Sequence, residues 1–143
     1  MVDIARGAKV YLDTNALIYM TEGSAAFKKS LEGFFEKAIA ADAKFVTSEL
    51  ALTETLVHPI RDNNEPLLSA YNDLFEHFVE ALPISRAILI RAAELRAGAV
   101  KYRTPDAIHA ATAEAAGAQV FVTGDSGIMI LPPMSRYLLS ENS

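Results

Sequence analysis

Four acidic residues, Asp13, Glu54, Asp106 and Asp125, stand where a carboxylate can do chemistry. Asp13 directly follows the apolar run Val10-Tyr11-Leu12, and Asp125 lies just beyond Val120-Phe121-Val122. Both runs read as buried strands, and in an open parallel sheet ligands bind beyond the carboxyl ends of the strands. If these two strands are neighbours, both acids reach one crevice. Glu54 has Leu50, Ala51 and Val57 at i−4, i−3 and i+3, which places it on the apolar side of a helix. A lone buried carboxylate is costly, and it either neutralises or acquires a cation. Asp106 falls in the first turn of a helix opened by Thr104-Pro105, where the macrodipole favours negative charge. Carboxylates gathered in this way suit Mg²⁺, a hard cation that takes oxygen ligands, and with it hydrolysis of a phosphodiester.

Each acid also has a purely structural role open to it. Asp13 in Asp13-Thr14-Asn15 can cap the helix that follows, and Glu54 can be solvated on another helix face. Asp106 can simply complement the helix dipole, and Asp125 in Gly124-Asp125-Ser126-Gly127 can be a turn residue. Thr14, Asn15 and Thr123 are the neighbours placed to orient ligands or water. His109, one turn after Asp106, could line the site, but a hydrogen-bonded structural histidine is the preferred reading. Lys101 and Arg103 precede Asp106 and either guide phosphate into the cleft or form a solvated loop.

The elements that must position these residues follow from periodicity. Val10–Leu12 is a strand, and Ala16, Leu17, Tyr19 and Met20 mark a short helix after it. Phe27, Leu31, Phe34, Phe35 and Ala38 have amphipathic helical spacing. Phe45–Thr47 is a second strand. Glu49–His58 is a helix expected to stop at Pro59, followed by the polar loop Arg61–Asn64. Leu67, Tyr71, Leu74, Phe75 and Phe78 predict another helix, and Ala81–Ile84 a short strand that Pro83 assigns to an edge. Ser85 caps a helix ending near Gly98, and Thr104 caps one running to about Gly117. Val120–Val122 is a buried strand, and Ile128–Leu131 is expected to be the last, with the tail from Pro132 the least predictable part. Alternating strands and helices indicate an α/β sandwich with a mainly parallel sheet.

The whole chain is consistent with this. Its 143 residues make one domain, 1–143, with 51% hydrophobic and 22% charged residues, the balance of a protein with a real core. There is no cysteine, hence no disulfide framework and no thiolate metal site, which fits a reducing cytosol. The apolar runs are too short to cross a bilayer, and Met1–Gly7 has no apolar segment of the kind a secretion signal needs. A net charge of −5 argues against a nucleic-acid binder. That argument weakens if acids are committed to a cation: with four of the 18 set aside, 14 remain against 13 Lys and Arg.

The order of the motifs resembles the PIN-domain family, in particular the VapC-type toxin ribonucleases. That family opens with a strand and Asp-Thr-Asn, here Tyr11-Leu12-Asp13-Thr14-Asn15. A mid-chain helix carries a Glu before an aliphatic pair, here Thr53-Glu54-Thr55-Leu56-Val57. A later helix opens with Asp and a run of Ala and His, here Pro105-Asp106-Ala107-Ile108-His109-Ala110-Ala111. A last motif ends a strand in Thr-Asn-Asp, here Thr123-Gly124-Asp125, so that Gly124 departs from the usual Asn. The resemblance spans Lys9 to about Leu131. It implies a PIN-like three-layer sandwich, with a mainly parallel five-stranded sheet flanked by helices. It also implies dependence on Mg²⁺ or Mn²⁺, endonucleolytic RNA cleavage leaving 5′-phosphate and 3′-hydroxyl ends, a homodimer, and a small antitoxin partner that covers the site. On this reading Asp13 and Asp106 lie closest to a first ion, and Asp125 and Glu54 complete the site.

Two other classes compete. An aspartyl-phosphate phosphatase would also place Asp13 after a first strand, but its Asp-x-Asp pattern is broken by Asn15. A receiver-like scaffold would need a paired acid beside Asp13 and a lysine after Asp125, and neither is evident. PIN domains that process RNA without being toxins form a third possibility within the nuclease class.

Overall fold

Among the described residues eleven elements follow one another: β1 (Lys9–Leu12), α1 (Thr14–Glu22), α2 (Ala25–Ala40), β2 (Lys44–Ser48), α3 (Leu50–Arg61), α4 (Glu65–His77), β3 (Glu80–Leu82), α5 (Arg86–Ala97), α6 (Thr104–Ala116), β4 (Val120–Thr123) and β5 (Ser135–Leu138). They come from a computed structural model that describes residues 3–23 and 25–139. Residues 1, 2, 24 and 140–143, which the assignment of one domain over 1–143 includes, lie outside the described residues.

The five strands form one parallel sheet in the order β3-β2-β1-β4-β5. The chain winds outward from β1 through β2 to β3, then returns to the other side of β1 for β4 and β5. The strand order reverses between β1 and β4, and a crevice opens at their carboxyl ends. Asp13 emerges there from β1, and Thr123 and Asp125 from β4.

Both faces of the sheet are covered, so the central strands carry no polar alternation. Val10, Phe45 and Val120 lie level across three strands and face Leu17, Leu31 and Phe34. Tyr11, Val46 and Phe121 lie level on the opposite face against Ala113 and Ile128. Every residue of α6 from Ala107 to Ala113 is buried. Its alanines allow α5, through Ile88, Ala92 and Leu95, to pack closely on it. The helix α3 contacts α1, α4 and α6 and so joins the two helical layers. Among the described residues no helix is long and apolar enough to cross a membrane.

Besides β3, which is Glu80–Leu82 and stops before Pro83 where the sequence predicts Ala81–Ile84, three boundaries differ from the sequence expectations. The last strand is Ser135–Leu138, not Ile128–Leu131. Ile128 is buried and Ile130 partly so, but Met129 is 49% and Leu131 38% exposed, so the apolar run is a loop pinned to the core by its two isoleucines. The true strand is an edge held by backbone pairing to β4, and such a strand needs little apolar sequence. Second, α3 continues through Pro59 to Arg61. Proline lacks only the hydrogen bond to the Thr55 carbonyl, and burial of Pro59 holds the final turn in place. Third, Arg103 rather than Thr104 occupies the cap position of α6 and gives no side-chain cap. Its guanidinium turns instead towards Asp106. The edge placement of β3, the Ser85 cap and the stops at Gly98 and Gly117 are as the sequence predicts.

Candidate active site

Asp13 is 5% exposed. Its Oδ1 accepts the Ala16 N–H at 2.9 Å, so the carboxylate does cap α1, and the Thr123 hydroxyl also bonds it. Burial is the dominant influence and pushes its pKa up to about 6. The hydrogen bonds from Thr123 and Ala16 oppose the rise, and the charge of Asp106 adds to it. This is a carboxylate short of positive charge.

Thr123 ties the two strand ends together. Besides bonding Asp13, its Oγ1 accepts the Asp125 N–H at 3.0 Å, and Asp125 Oδ1 accepts the Gly127 N–H at 2.8 Å. The turn reading of Asp125 is therefore also correct, and the turn aims its other oxygen at Arg103. Arg103 Nε donates to Asp106 Oδ2 at 2.8 Å, and its terminal nitrogen lies 3.5 Å from Asp125 Oδ2. One guanidinium thus bridges an acid of α6 and the acid after β4. It is 75% exposed, so its hold on either acid is weak and screened.

Glu54 is half-buried and enters from α3. The Thr14 hydroxyl donates to its Oε1 at 2.7 Å, and His109 Nε2 lies 2.8 Å from the same oxygen. Burial opposes its ionisation, but the hydrogen bonds from His109 and Thr14 outweigh that, and its carboxyl is held below the usual range. His109 Nδ1 is 2.6 Å from the Tyr11 hydroxyl.

The four acids expected from the sequence lie around the crevice: Thr123 links Asp13 to Asp125, Arg103 links Asp106 to Asp125, and Glu54 is tied to Thr14 and His109 and feels the Arg103 charge. The Thr14 hydroxyl bonds Glu54 and the Thr123 hydroxyl bonds Asp13. Asn15 is exposed and takes no part in the hydrogen bonds of the cluster. His109 is hydrogen-bonded, as read from the sequence, yet its partner is a site acid. Tyr11 escaped sequence reasoning altogether. The available signal was a phenol within a strand buried on both faces, where it must find a polar partner.

The donor set fits a divalent cation. All four acids offer carboxylate oxygens, Asp13 lacks compensating charge, and Asp106 and Asp125 borrow it from one exposed arginine. Among the described residues no three His, Asp or Glu side chains are grouped so as to enclose an ion by themselves. Mg²⁺ requires only one or two direct carboxylates and keeps several waters. A cation entering between Asp106 and Asp125 would compete with Arg103. Arg103→Gln is thus expected to bind Mg²⁺ about two- to fivefold more tightly in a calorimetric titration. Equal or weaker binding would remove the competition.

The fold has counterparts among known structures. One is VapBC2 from Rickettsia felis bound to a DNA fragment from its promoter, with a TM-score of 0.71 at 20% identity over 92% of this chain and 99% of that one. Another is DNA-bound VapBC from Salmonella typhimurium, with a TM-score of 0.66 at 17% identity over 91% and 97%. The Mycobacterium tuberculosis toxin VapC20, described as cleaving the sarcin-ricin loop, gives 0.61 at 19% identity over 87% and 99%. At such identities the likeness shows a shared fold. No curated protein sequence matches the chain closely enough to count as a relative. The sequence profile of the PIN domain matches residues 10–130, from the first strand past the last acid. With its sheet order, its crevice and its profile all in agreement, this chain belongs to the PIN domain family.

Proposed function

We propose that this single PIN domain is a Mg²⁺-dependent endoribonuclease, able to use Mn²⁺, and that it acts in the cytosol as the toxin of a toxin–antitoxin pair. The observation that carries the reading is the gathering of Asp13, Asp106 and Asp125 at the carboxyl ends of β1 and β4, with Glu54 held beside them. Family membership supports nuclease chemistry. The toxin assignment is supported by neighbours solved as toxin–antitoxin complexes.

Asp13 and Asp106 would hold the cation most directly, with Asp125 and Glu54 completing the site. When bound, the cation supplies Lewis-acid polarisation of the phosphodiester and lowers the pKa of water. The protein's own groups do the rest. Thr123 keeps Asp13 and Asp125 at a fixed spacing. Glu54, kept ionised by Thr14 and His109, would help complete the cation's site and orient water there. Arg103, once released from Asp106 and Asp125, is the free guanidinium that pairs with phosphate.

A groove of about 440 Å³ between α2 and the end of α4 is lined by Met20, Leu31, Phe35, Ile39 and Phe78. Its apolar floor and charged rim suit an amphipathic antitoxin helix. The exposed α3 residues Val57 and Ile60 offer apolar surface to a second copy in a homodimer.

Purified protein incubated with total RNA and Mg²⁺ is expected to give discrete fragments with 5′-phosphate ends, and EDTA is expected to stop the reaction. Intact RNA at saturating Mg²⁺ and Mn²⁺ would refute the nuclease. Free expression in the native host without growth arrest would refute the toxin role and leave the nuclease standing.

A further inference from the structure

We propose that the buried pair Tyr11 and His109 is a positioning device for Glu54, fixing Oε1 so that Oε2 is the oxygen offered to the cation or the attacking water. The inference rests on the nuclease reading above and adds two residues to its machinery.

A carboxylate only accepts hydrogen bonds, so His109 Nε2, 2.8 Å from Glu54 Oε1, must carry the hydrogen. In the neutral ring Nδ1 is then the acceptor, and the Tyr11 hydroxyl, 2.6 Å away, donates to it. The Thr14 hydroxyl donates to the same Oε1 at 2.7 Å and lies 3.1 Å from Nε2, closing a triangle. Both donors fall on one oxygen of Glu54.

The device is anchored where water does not compete. Tyr11 is fully buried at the centre of the sheet, and His109 is 3% exposed. Their rings meet edge to face at 5.8 Å and 74°. Thr47 and Ser48 of β2 also stand beside the phenol. Position passes from the rigid sheet through α6 to the carboxylate of α3, across sequence separations of 98 and 55 residues. Groups behind a ligand commonly govern its orientation and affinity in this way.

The rival account is that His109 merely fastens α6 to β1 through Tyr11. Two amides separate the two accounts. Glutamine reaches as far as Nε2 and can still donate to Glu54. Asparagine reaches only as far as Nδ1 and keeps the Tyr11 contact alone. Mn²⁺ by itself is titrated calorimetrically into chelator-stripped full-length protein, and cleavage of a short RNA is followed in parallel. His109→Gln is expected to stay within about threefold of the unsubstituted protein in Mn²⁺ affinity and kcat, and His109→Asn to lose about tenfold or more in both. Equal losses in the two variants, or losses that follow melting temperature, would overturn the proposal.

Should His109→Asn fail to fold, Tyr11→Phe carries the test. It keeps the ring, removes the donor to Nδ1, and is expected to lower Mn²⁺ affinity several-fold. Imidazole ¹⁵N spectra of the unsubstituted protein are expected to show the Nε2–H form alone, and to show both forms in Tyr11→Phe. An Nδ1–H ring in the unsubstituted protein would overturn the proposal without any activity measurement. If the unsubstituted protein neither binds Mn²⁺ nor cuts RNA, the nuclease reading falls and this inference with it. If it does both while Gln and Asn behave alike, only this inference falls.

Discussion

Asp13→Asn is expected to reduce RNA cleavage about a hundred- to a thousandfold and, in cation-free buffer at neutral pH, to make the protein more stable. The first effect follows from removing the carboxylate at the centre of the cluster. The second follows from its burial. The folded protein holds the Asp13 proton up to about pH 6, against 3.8 for the ordinary carboxyl. Below about pH 4 both folded and unfolded chains are protonated there, and no penalty exists. As pH rises from about 4 to 6 the unfolded chain ionises first, and folding stability falls. Above pH 6 the loss levels off at about 3 kcal/mol, an upper bound because water and rearrangement soften it. Asparagine ionises in neither state and still caps α1, since its oxygen can accept the Ala16 N–H. Urea denaturation in EDTA therefore has a clear expectation. The variant gains at pH 7.5, and the gain shrinks towards zero as pH approaches 4. Mg²⁺ reverses the order by stabilising only the protein that retains Asp13. A variant no more stable than its parent at pH 7.5 in EDTA would show that Asp13 carries no charge deficit.

Gly124→Asn, which restores the residue usual in the family at this point, is expected to destabilise the protein by about 1–3 kcal/mol. A Cβ at position 124 would lie 2.1 Å from Cε2 of Tyr19 and about 3 Å from two further ring atoms. The Tyr19 ring would have to move, and it is stacked on Phe27 with centroids 4.2 Å apart and planes within 4°. The glycine is therefore paired with Tyr19, and Asp125 follows at the next position. Displacing the ring is expected to disturb the Thr123–Asp125 turn and to lower cleavage as well as stability. Combining Gly124→Asn with Tyr19→Ala tests the pairing. The double variant should be less destabilised than the sum of the two single changes, because the clash exists only when both side chains are present. Strict additivity would mean that Gly124 and Tyr19 do not meet.

Much of the site was legible because its signals are local. Asp13 and Asp125 follow apolar strands, Glu54 has Leu50 and Ala51 one turn before it, though Val57 on the same side is 51% exposed, and Asp106 sits in a first turn. Each of these placements depends on residues within a turn or a strand of the acid. Two of the four structural readings hold as well: Asp13 caps α1 and Asp125 makes a turn. A carboxylate has two oxygens, and one can hold the backbone while the other faces the cleft. What was not legible involves partners far apart in the chain. Nothing near Tyr11 announces that its phenol meets His109, and nothing near Gly124 announces the ring of Tyr19. The last strand was misplaced because an edge strand is specified by its neighbour's unpaired backbone, which carries no side-chain signature.

From the sequence alone, then, came the alternation of strands and helices, the order of the four acids and the family they suggest. These depend on short-range periodicity and on which residue follows which element. Tertiary structure alone decided that β1 and β4 are neighbours, that Arg103 bridges Asp106 and Asp125, and that His109 serves Glu54. Those contacts are made through space between elements brought together by burial of the two faces of the sheet. Hydrophobic burial is indifferent to sequence distance, so no local pattern records them.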